Sequence, residues 1–183
     1  CIPTQLSNSV IHLGPARPGA KRFYSYSDLR DIKPEDVSYV LKHSDDDIKL
    51  LSGYLKFLNI LESIKSKPSS DKTVDIRSIQ VQRINSNSFV NLADTGYGLS
   101  QLLPIVFNAF NDSSRTILVQ QPETHLHPRL QAEVGTIFVD SIVGNAYFKP
   151  KIPKNWIIET HSETILLRIL KRIRSGDIHS DDV

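Results

Sequence analysis

The sequence has little cysteine, no methionine and no long apolar run, and each shortage narrows what the protein is. Its single cysteine, Cys1, has no second cysteine to pair with, which argues against a disulfide-stapled secreted scaffold and favours a reducing compartment, so a cytoplasmic location is expected. No stretch approaches the roughly 20 apolar residues of a membrane-spanning helix, so we expect no membrane contact. Because methionine is absent even at position 1, we expect the 183 residues to be a piece of a longer protein, with both ends as cuts.

What is present is the composition of a globular protein. Hydrophobic residues make up 39% of the chain and its formal net charge is +2. Such a chain has enough apolar surface for a core, and it lacks the charge excess of a disordered tail. The balanced charge does not point to nucleic acid, so any nucleic-acid surface would have to be local.

The N-terminal part, residues 1–93, reads as irregular sequence followed by a helix and a β-hairpin. Four prolines interrupt residues 1–47, which show little periodicity. Further along, apolar spacing predicts an amphipathic helix and alternation predicts strands. The predicted elements are a helix over 48–61, a surface loop over 66–72, a strand over 74–84 with a bulge near Ser78, and a turn over 85–88 that returns through 89–92.

The C-terminal part, residues 94–183, alternates strands and helices. A glycine-hinged loop leads into a helix over 100–110, and two short apolar runs predict strands buried on both faces. The predicted elements are strands over 116–119 and 155–158, a helix over 128–142, and a helix through Arg174 that a Thr160/Glu163 capping box opens and Gly176 stops. This order predicts an α/β fold with a three-layer, mostly parallel sheet.

The last of these helices has two predicted faces. Its inward face is expected to hold Ile165, Leu166, Ile169, Leu170 and Ile173, and its outward face Arg168, Lys171, Arg172 and Arg174. The basic face is compatible with contact to DNA phosphates. More often such a face is simply solvated, and cations are favoured near a helix C-terminus.

Polar residues follow both predicted parallel strands directly. The segments are Gln120-Gln-Pro-Glu-Thr-His-Leu-His-Pro128 and Glu159-Thr-His-Ser-Glu163. Ligands of parallel sheets bind beyond the carboxyl ends of the strands, so these segments are candidates for a functional site. A structural reading also stands, because Thr160 and Glu163 would be needed as helix caps.

Together with Asp94-Thr-Gly-Tyr-Gly-Leu-Ser-Gln101, these segments resemble the C-terminal half of an ABC-type P-loop ATPase. The similarity is greatest to the non-transporter ATPases of the overcoming-lysogenisation-defect type, which are related to the structural-maintenance and DNA-repair ATPases. His12-Leu-Gly-Pro-Ala-Arg17 resembles a segment common in the same group. The resemblance implies ATP and Mg²⁺ as cofactors, a homodimer through the nucleotide interface, and coupling to DNA or a nuclease partner in defence or repair.

The first motif occupies the place of the signature segment in such ATPases. The resemblance implies that Gly96, Gly98, Ser100 and Gln101 reach across the dimer to the γ-phosphate of the partner's ATP. Glycines permit close backbone approach, and the N-terminus of the following helix favours an anion. The local residues alone fit a plain glycine loop that caps a helix equally well.

The second motif occupies the Walker B and D-loop positions, with one departure. Acids are usual at positions 120 and 121, to hold Mg²⁺ through water and to orient the attacking water. This chain has Gln120 and Gln121, which bring no negative charge and are poor bases. Glu123 is a candidate substitute carboxylate, while Gln120 remains a weak metal contact through water. The departure leaves open an ATP-gated clamp with little hydrolysis.

Two histidines complete the set that the resemblance implies. His127 occupies the D-loop position and His161 matches the switch histidine that senses the γ-phosphate, a task that suits a side chain with a tunable charge. The alternative is a metal-dependent hydrolase whose ligands are His125, His127 and His161, with Glu159.

The sequence has one near match to a phosphate-binding loop, and it does not fit the motif. Gly14-Pro-Ala-Arg-Pro-Gly19-Ala-Lys21 misplaces the lysine by one residue, lacks the following Ser or Thr, and has two prolines where amide donors are needed. We therefore expect the Walker A half upstream or on another chain, and we expect this chain alone to be inactive as an ATPase.

Overall fold

The computed structural model describes residues 10–30, 32–42, 44–69, 76–110, 115–147 and 152–183. These residues group into two compact units, each described by itself. Within the described ranges, the first unit comprises 10–16 and 105–183, and the second comprises 17–104. The division falls inside one helix, α3 (Tyr97–Phe110), which has Pro104 in its interior.

The second unit is built on an antiparallel sheet. Its central strand pairs with the other three strands, and Ser44 caps the longest helix by accepting a hydrogen bond from the Asp47 backbone N–H. The elements are β2 (Tyr24–Ser25), α1 (Tyr26–Arg30), a 3₁₀ helix (Val37–Lys42), α2 (Asp45–Phe57), β3 (Ser63–Pro68), the central β4 (Ile76–Gln82), β5 (Phe89–Asn91) and a 3₁₀ helix (Leu92–Asp94).

The structure confirms the hairpin and shifts its neighbours. Residues 83–88 join β4 to β5, so the predicted hairpin is confirmed and its turn starts two residues before the predicted 85–88. The predicted helix over 48–61 is wrong at both ends, because the Ser44 cap starts it earlier and it stops at Phe57. The predicted loop over 66–72 is wrong for 66–68, which pair with β4, while 70–72 lie outside the described residues. Here backbone pairing with a long neighbour overrides the weak strand propensity of Ser, Lys and Pro.

The first unit contains a parallel sheet of three strands, in the order β1–β6–β7. The strands are β1 (Val10–Leu13), β6 (Thr116–Gln120) and β7 (Asn155–Glu159), and both pairs are parallel. This confirms the mixed α/β class and the parallel sheet. Sequence periodicity missed β1, a four-residue strand whose partner lies more than 100 positions away.

The two faces of this sheet differ in exposure. One face carries Ile11, Leu13, Ile117 and Val119, all buried. Trp156 lies on the same face, with its ring centroid 4.6 Å from that of Phe138 in α4 (Pro128–Val143). The opposite face carries the alternate residues, and at both outer strands these are exposed: Val10 (39%), His12, and Ile157 (59%). The prediction that 155–158 is buried on both faces is therefore wrong, because β7 is an edge strand among the described residues.

Two helices pack against each other in this unit, α4 and α5 (Glu163–Arg174). A Cβ on Gly135 would lie 2.9 Å from Cβ of Arg168, so a glycine is needed for this close approach. Pro128 in the first turn opens α4 as predicted, and Gly176, with φ of +77°, follows the end of α5.

The predicted faces of α5 are wrong in part. Ile165 is fully buried, but Leu166 and Leu170 are 50% and 58% exposed. Arg168 and Arg172, expected to face outward, instead donate to Glu133 and to the buried Asp140 of α4. The physical reason is that a buried carboxylate needs a cationic partner, and long arginine stems cover apolar surface on the way.

Across the part of the chain that the structure describes, no helix combines the length and the apolar character needed to cross a bilayer.

Candidate functional site

A row of polar side chains crosses the carboxyl ends of the three parallel strands. The register sets Gln120, the last residue of β6, beside Glu159, the last residue of β7. The Gln120 side-chain Nε2 donates to Glu159 Oε2 at 2.8 Å, and its Oε1 lies 3.1 Å from His12 Nε2 in β1. The amide therefore accepts from the imidazole on one side and donates to the carboxylate on the other. It links all three strands at the edge where parallel sheets bind ligands.

The loop after β6 has an unusual backbone. Gln121 and His125 have φ of +45° and +61°, in the left-handed region that non-glycine residues rarely adopt. The Gln121 N–H donates to the Glu159 carbonyl at 2.8 Å, and turns close between Gln121 and Thr124 and between Glu123 and Leu126. Strained residues of this kind cluster at functional sites.

Glu123 ties this loop to the loop after β7. Its Oε2 accepts from the Thr160 hydroxyl at 2.6 Å, and its Oε1 accepts from the His161 backbone N–H at 2.8 Å. Both carboxylate oxygens are thus engaged by residues nearly 40 positions along the chain. Glu123 fixes the backbone at His161, whose side chain stays exposed.

The N-terminus of α5 is held by a residue other than the predicted one. Ser162 is the cap: its Oγ accepts from the Ile165 N–H and donates to Gln131 Oε1 in α4. Thr160 instead accepts from the Ser162 N–H and donates to Glu123. The predicted Thr160/Glu163 capping box is therefore wrong, which frees Thr160 for the loop-to-loop contact.

His127 caps α4. Its Nδ1 accepts from the Arg129 N–H at 3.3 Å, and Pro128 follows in the first helical turn. The imidazole is exposed, so the cap leaves one edge of the ring facing solvent. Contact between His127 and a nucleotide stays a prediction.

The signature-like segment belongs to the second unit. Helix α3 begins at Tyr97, so the predicted start at Ser100 is late and Gly98 lies inside the first turn. Gly96, with φ of +95°, supplies the bend before it. Ser100 is buried and its Oγ accepts from the Ala20 N–H at 3.2 Å. Gln101, fully buried, donates from Nε2 to the Arg17 carbonyl at 2.8 Å.

No role was predicted for Arg17, the last residue of the His12–Arg17 segment. It is 1% exposed, and its Nε donates to the Gln101 carbonyl at 3.1 Å. Tyr97 adds a hydroxyl contact to the Arg17 carbonyl. These bonds, with that of Ala20, hold residues 17–20 against the start of α3, so this part of the near-miss phosphate loop has a structural role. That Gly96, Gly98, Ser100 and Gln101 meet a γ-phosphate stays a prediction.

The strand-end cluster in the first unit brings together most of the predicted catalytic residues. Gln120, Gln121, Glu123 and the His161 backbone are linked by hydrogen bonds within it. Glu159 and His12 belong to it as well; both lie in segments that carry the resemblance, but neither was given a role of its own in an ATPase site. The signal for Glu159 was its position, one residue past a predicted strand beside Gln120, but only the register shows which side chains meet.

The donor set can be compared with what a metal requires. Among the described residues, no three His, Cys, Asp or Glu side chains come close enough to hold an ion, so the histidine-cluster alternative is wrong. A Mg²⁺ ion carried by a nucleotide needs only one or two carboxylates besides phosphates and waters. Gln120 and Glu159 together supply one carboxylate, which fits that requirement, but they do not form a full set of protein ligands for a metal ion.

Comparison with protein families supplies the classification. The model of the AAA ATPase domain, a nucleotide-binding domain of the P-loop NTPase superfamily, matches residues 24–166. No curated protein matches the chain. The match covers most of the sequence, including β6, β7 and the loops that follow them. The chain therefore belongs to the AAA ATPase domain family.

Proposed function

We propose that this protein is a cytoplasmic ATPase of the ABC type, from the overcoming-lysogenisation-defect and structural-maintenance group. In this proposal ATP and Mg²⁺ bind between two copies, and nucleotide state controls DNA or a nuclease partner in defence or repair. The observation that carries it is the strand-end cluster, in which Gln120, Glu123 and the His161 backbone meet at one edge of a parallel sheet. Within the cluster, the exposed imidazole of His161 is available to a terminal phosphate.

A low-turnover ATP clamp is the second candidate. Amides at 120 and 121 bring no charge, and both oxygens of Glu123 are already engaged by Thr160 and His161. These two hydrogen bonds hold the carboxylate in the contact between the loops and limit its freedom to turn toward an attacking water. These observations favour slow hydrolysis that leaves the ATP-bound dimer long-lived.

The remaining part of the proposal is the phosphate-loop half. Among the described strands, β7 has a neighbour on one side only, and the sheet face with Val10 and Ile157 is exposed. The crossover from β6 to β7 runs through α4 on the buried face. A connection from a further strand beside β7 back to β1 would cross the sheet in the direction opposite to the β6–α4–β7 crossover. Because such crossovers are right-handed, its helix would lie on the opposite, exposed face. This edge and face therefore suit a strand–loop–helix segment that cradles phosphates.

The test measures ATP binding and hydrolysis. Residues 1–183 alone are expected to show no turnover, while the protein with a phosphate loop binds ATP. In that protein His161→Ala is expected to reduce hydrolysis at least about tenfold, and the matched control His179→Ala, at the C-terminal 3₁₀ helix (Ser180–Asp182), is expected to leave it unchanged. Turnover by residues 1–183 alone, or equal effects of the two histidine variants, contradicts the proposal.

Two further variants separate the ATPase from the clamp. If the clamp reading holds, Gln121→Glu raises the hydrolysis rate, because it supplies a base beside the reacting water. If Glu123 is the working carboxylate, Glu123→Gln abolishes turnover and Gln121→Glu has little effect. Size-exclusion chromatography with and without ATP measures the dimer in both cases.

A further inference from the structure

We propose that Glu159 supplies, toward the nucleotide's Mg²⁺, the carboxylate that position 120 lacks. This inference rests on the proposed function for the identity of the metal. The negative charge is then displaced by one strand, from the end of β6 to the end of β7.

The geometry places Glu159 directly beside position 120, where this chain has an amide in place of the usual acid. The two residues are register partners, and Gln120 Nε2 lies 2.8 Å from Glu159 Oε2. Within the described residues that hydrogen bond is the sole polar contact of the Glu159 side chain, so Oε1 remains open. The residue is exposed at the ligand-binding edge.

The neutral side chain at 120 stabilises this arrangement. An amide donates one hydrogen bond to the carboxylate and holds it in place. An acid at 120 would put two negative charges side by side, and one of them would be disfavoured. Gln120 thus acts as a positioning residue for Glu159, while His12 fixes the amide from the other side.

The neighbouring acid is not available for the same task. Each Glu123 oxygen already accepts one hydrogen bond, from Thr160 or from the His161 N–H, and these bonds hold the carboxylate toward the two loops, whereas Glu159 Oε1 accepts none from the described residues. Mg²⁺ is usually held by one or two carboxylates together with phosphates and water. Glu159 alone satisfies the protein's share of that set.

Mn²⁺ without nucleotide is the probe, because its unpaired electrons broaden nearby NMR signals even when binding is weak. In the ¹⁵N-labelled 183-residue chain, Mn²⁺ is expected to broaden the Gln120 side-chain NH₂ signals first. Glu159→Gln is expected to raise the Mn²⁺ concentration needed by about tenfold or more. Glu163→Gln, an exposed acid four residues further on, is the matched control and is expected to change nothing.

The exchange variant Q120E/E159Q tests whether Mn²⁺ binding depends on a carboxylate at this pair of positions or is lost because the substitution disturbs the fold. It keeps one amide and one carboxylate in contact and leaves the net charge unchanged, so it is expected to restore Mn²⁺ binding. Broadening that survives Glu159→Gln, or an exchange variant as weak as Glu159→Gln, overturns the inference. Because no nucleotide is present, ATP binding measured separately on the phosphate-loop-containing protein reports failure of the proposed function independently.

Discussion

Arg172 of α5 forms an ion pair with Asp140 of α4, with Nη2 2.9 Å from Oδ1, and the Asp140 carboxylate is 1% exposed. Asn145 donates to the other carboxylate oxygen at 2.6 Å. A buried charge held by two partners is costly to expose or to leave alone. This pair therefore sets the way the two helices face each other.

We expect Asp140→Ala to lower the free energy of unfolding by about 1–3 kcal/mol, because it removes the buried carboxylate that Arg172 and Asn145 donate to, while Arg172 keeps its ion pair with Asp177. Urea unfolding followed by circular dichroism measures the change. The matched control is Asp46→Ala, which breaks an ion pair to Lys49 in which both side chains are exposed. It is expected to cost less than about 1 kcal/mol, and equal losses would contradict this account.

The orientation of α5 gives a second expectation within one helix. Ile165→Ala removes a fully buried side chain and is expected to cost about 2–5 kcal/mol. Leu170→Ala removes a side chain that is 58% exposed, so we expect well under half that loss. The two variants delete comparable apolar volume, and thermal unfolding compares them directly. A larger loss for Leu170→Ala would instead support the inward position of Leu170 that the sequence predicts.

Tyr24 gives the alkaline pH dependence. Burial raises the pKa of its phenol to about 12, although the Lys21 N–H that donates to the hydroxyl at 2.8 Å acts in the opposite direction. A raised pKa means that the folded state favours the protonated phenol. The stabilisation is complete below the ordinary pKa near 10 and is lost as the pH rises toward 12.

We therefore expect the free energy of unfolding to fall between pH 10 and 12, and Tyr24→Phe to remove part of that fall. Denaturant unfolding at a series of pH values measures the slope. Tyr147→Phe is the control, because that side chain is 43% exposed, and it is expected to keep the slope of the parent protein. Identical slopes for all three proteins would show that Tyr24 is not responsible.

Sequence periodicity located the long elements of the first unit and missed what depends on distant partners. Helix α4 and strand β6 were predictable because apolar spacing and a proline at the first turn are local signals. Strand β1 was not, since four residues acquire strand structure only through pairing with β6. The outward arginines of α5 were mispredicted because hydrophobicity alone ignores the buried Asp140.

The candidate site divides in the same way. The two strand-end segments were recognisable from motif order, because polar residues directly after apolar runs are a local signal. Their connections were not. The contact of Glu123 with Thr160 joins residues 37 positions apart, and the Gln120–Glu159 pair depends on strand register. Whether the signature-like residues meet a nucleotide stays a prediction.

Gln121 and His125 place backbone strain in the loop after β6, because both have left-handed φ values. Each holds backbone energy of about 1–2 kcal/mol relative to an ordinary conformation. Glu123, which lies between them in sequence, binds the loop to Thr160 and His161 through two hydrogen bonds. The conformation of the loop after β6 and the position of the His161 backbone therefore depend on the same carboxylate.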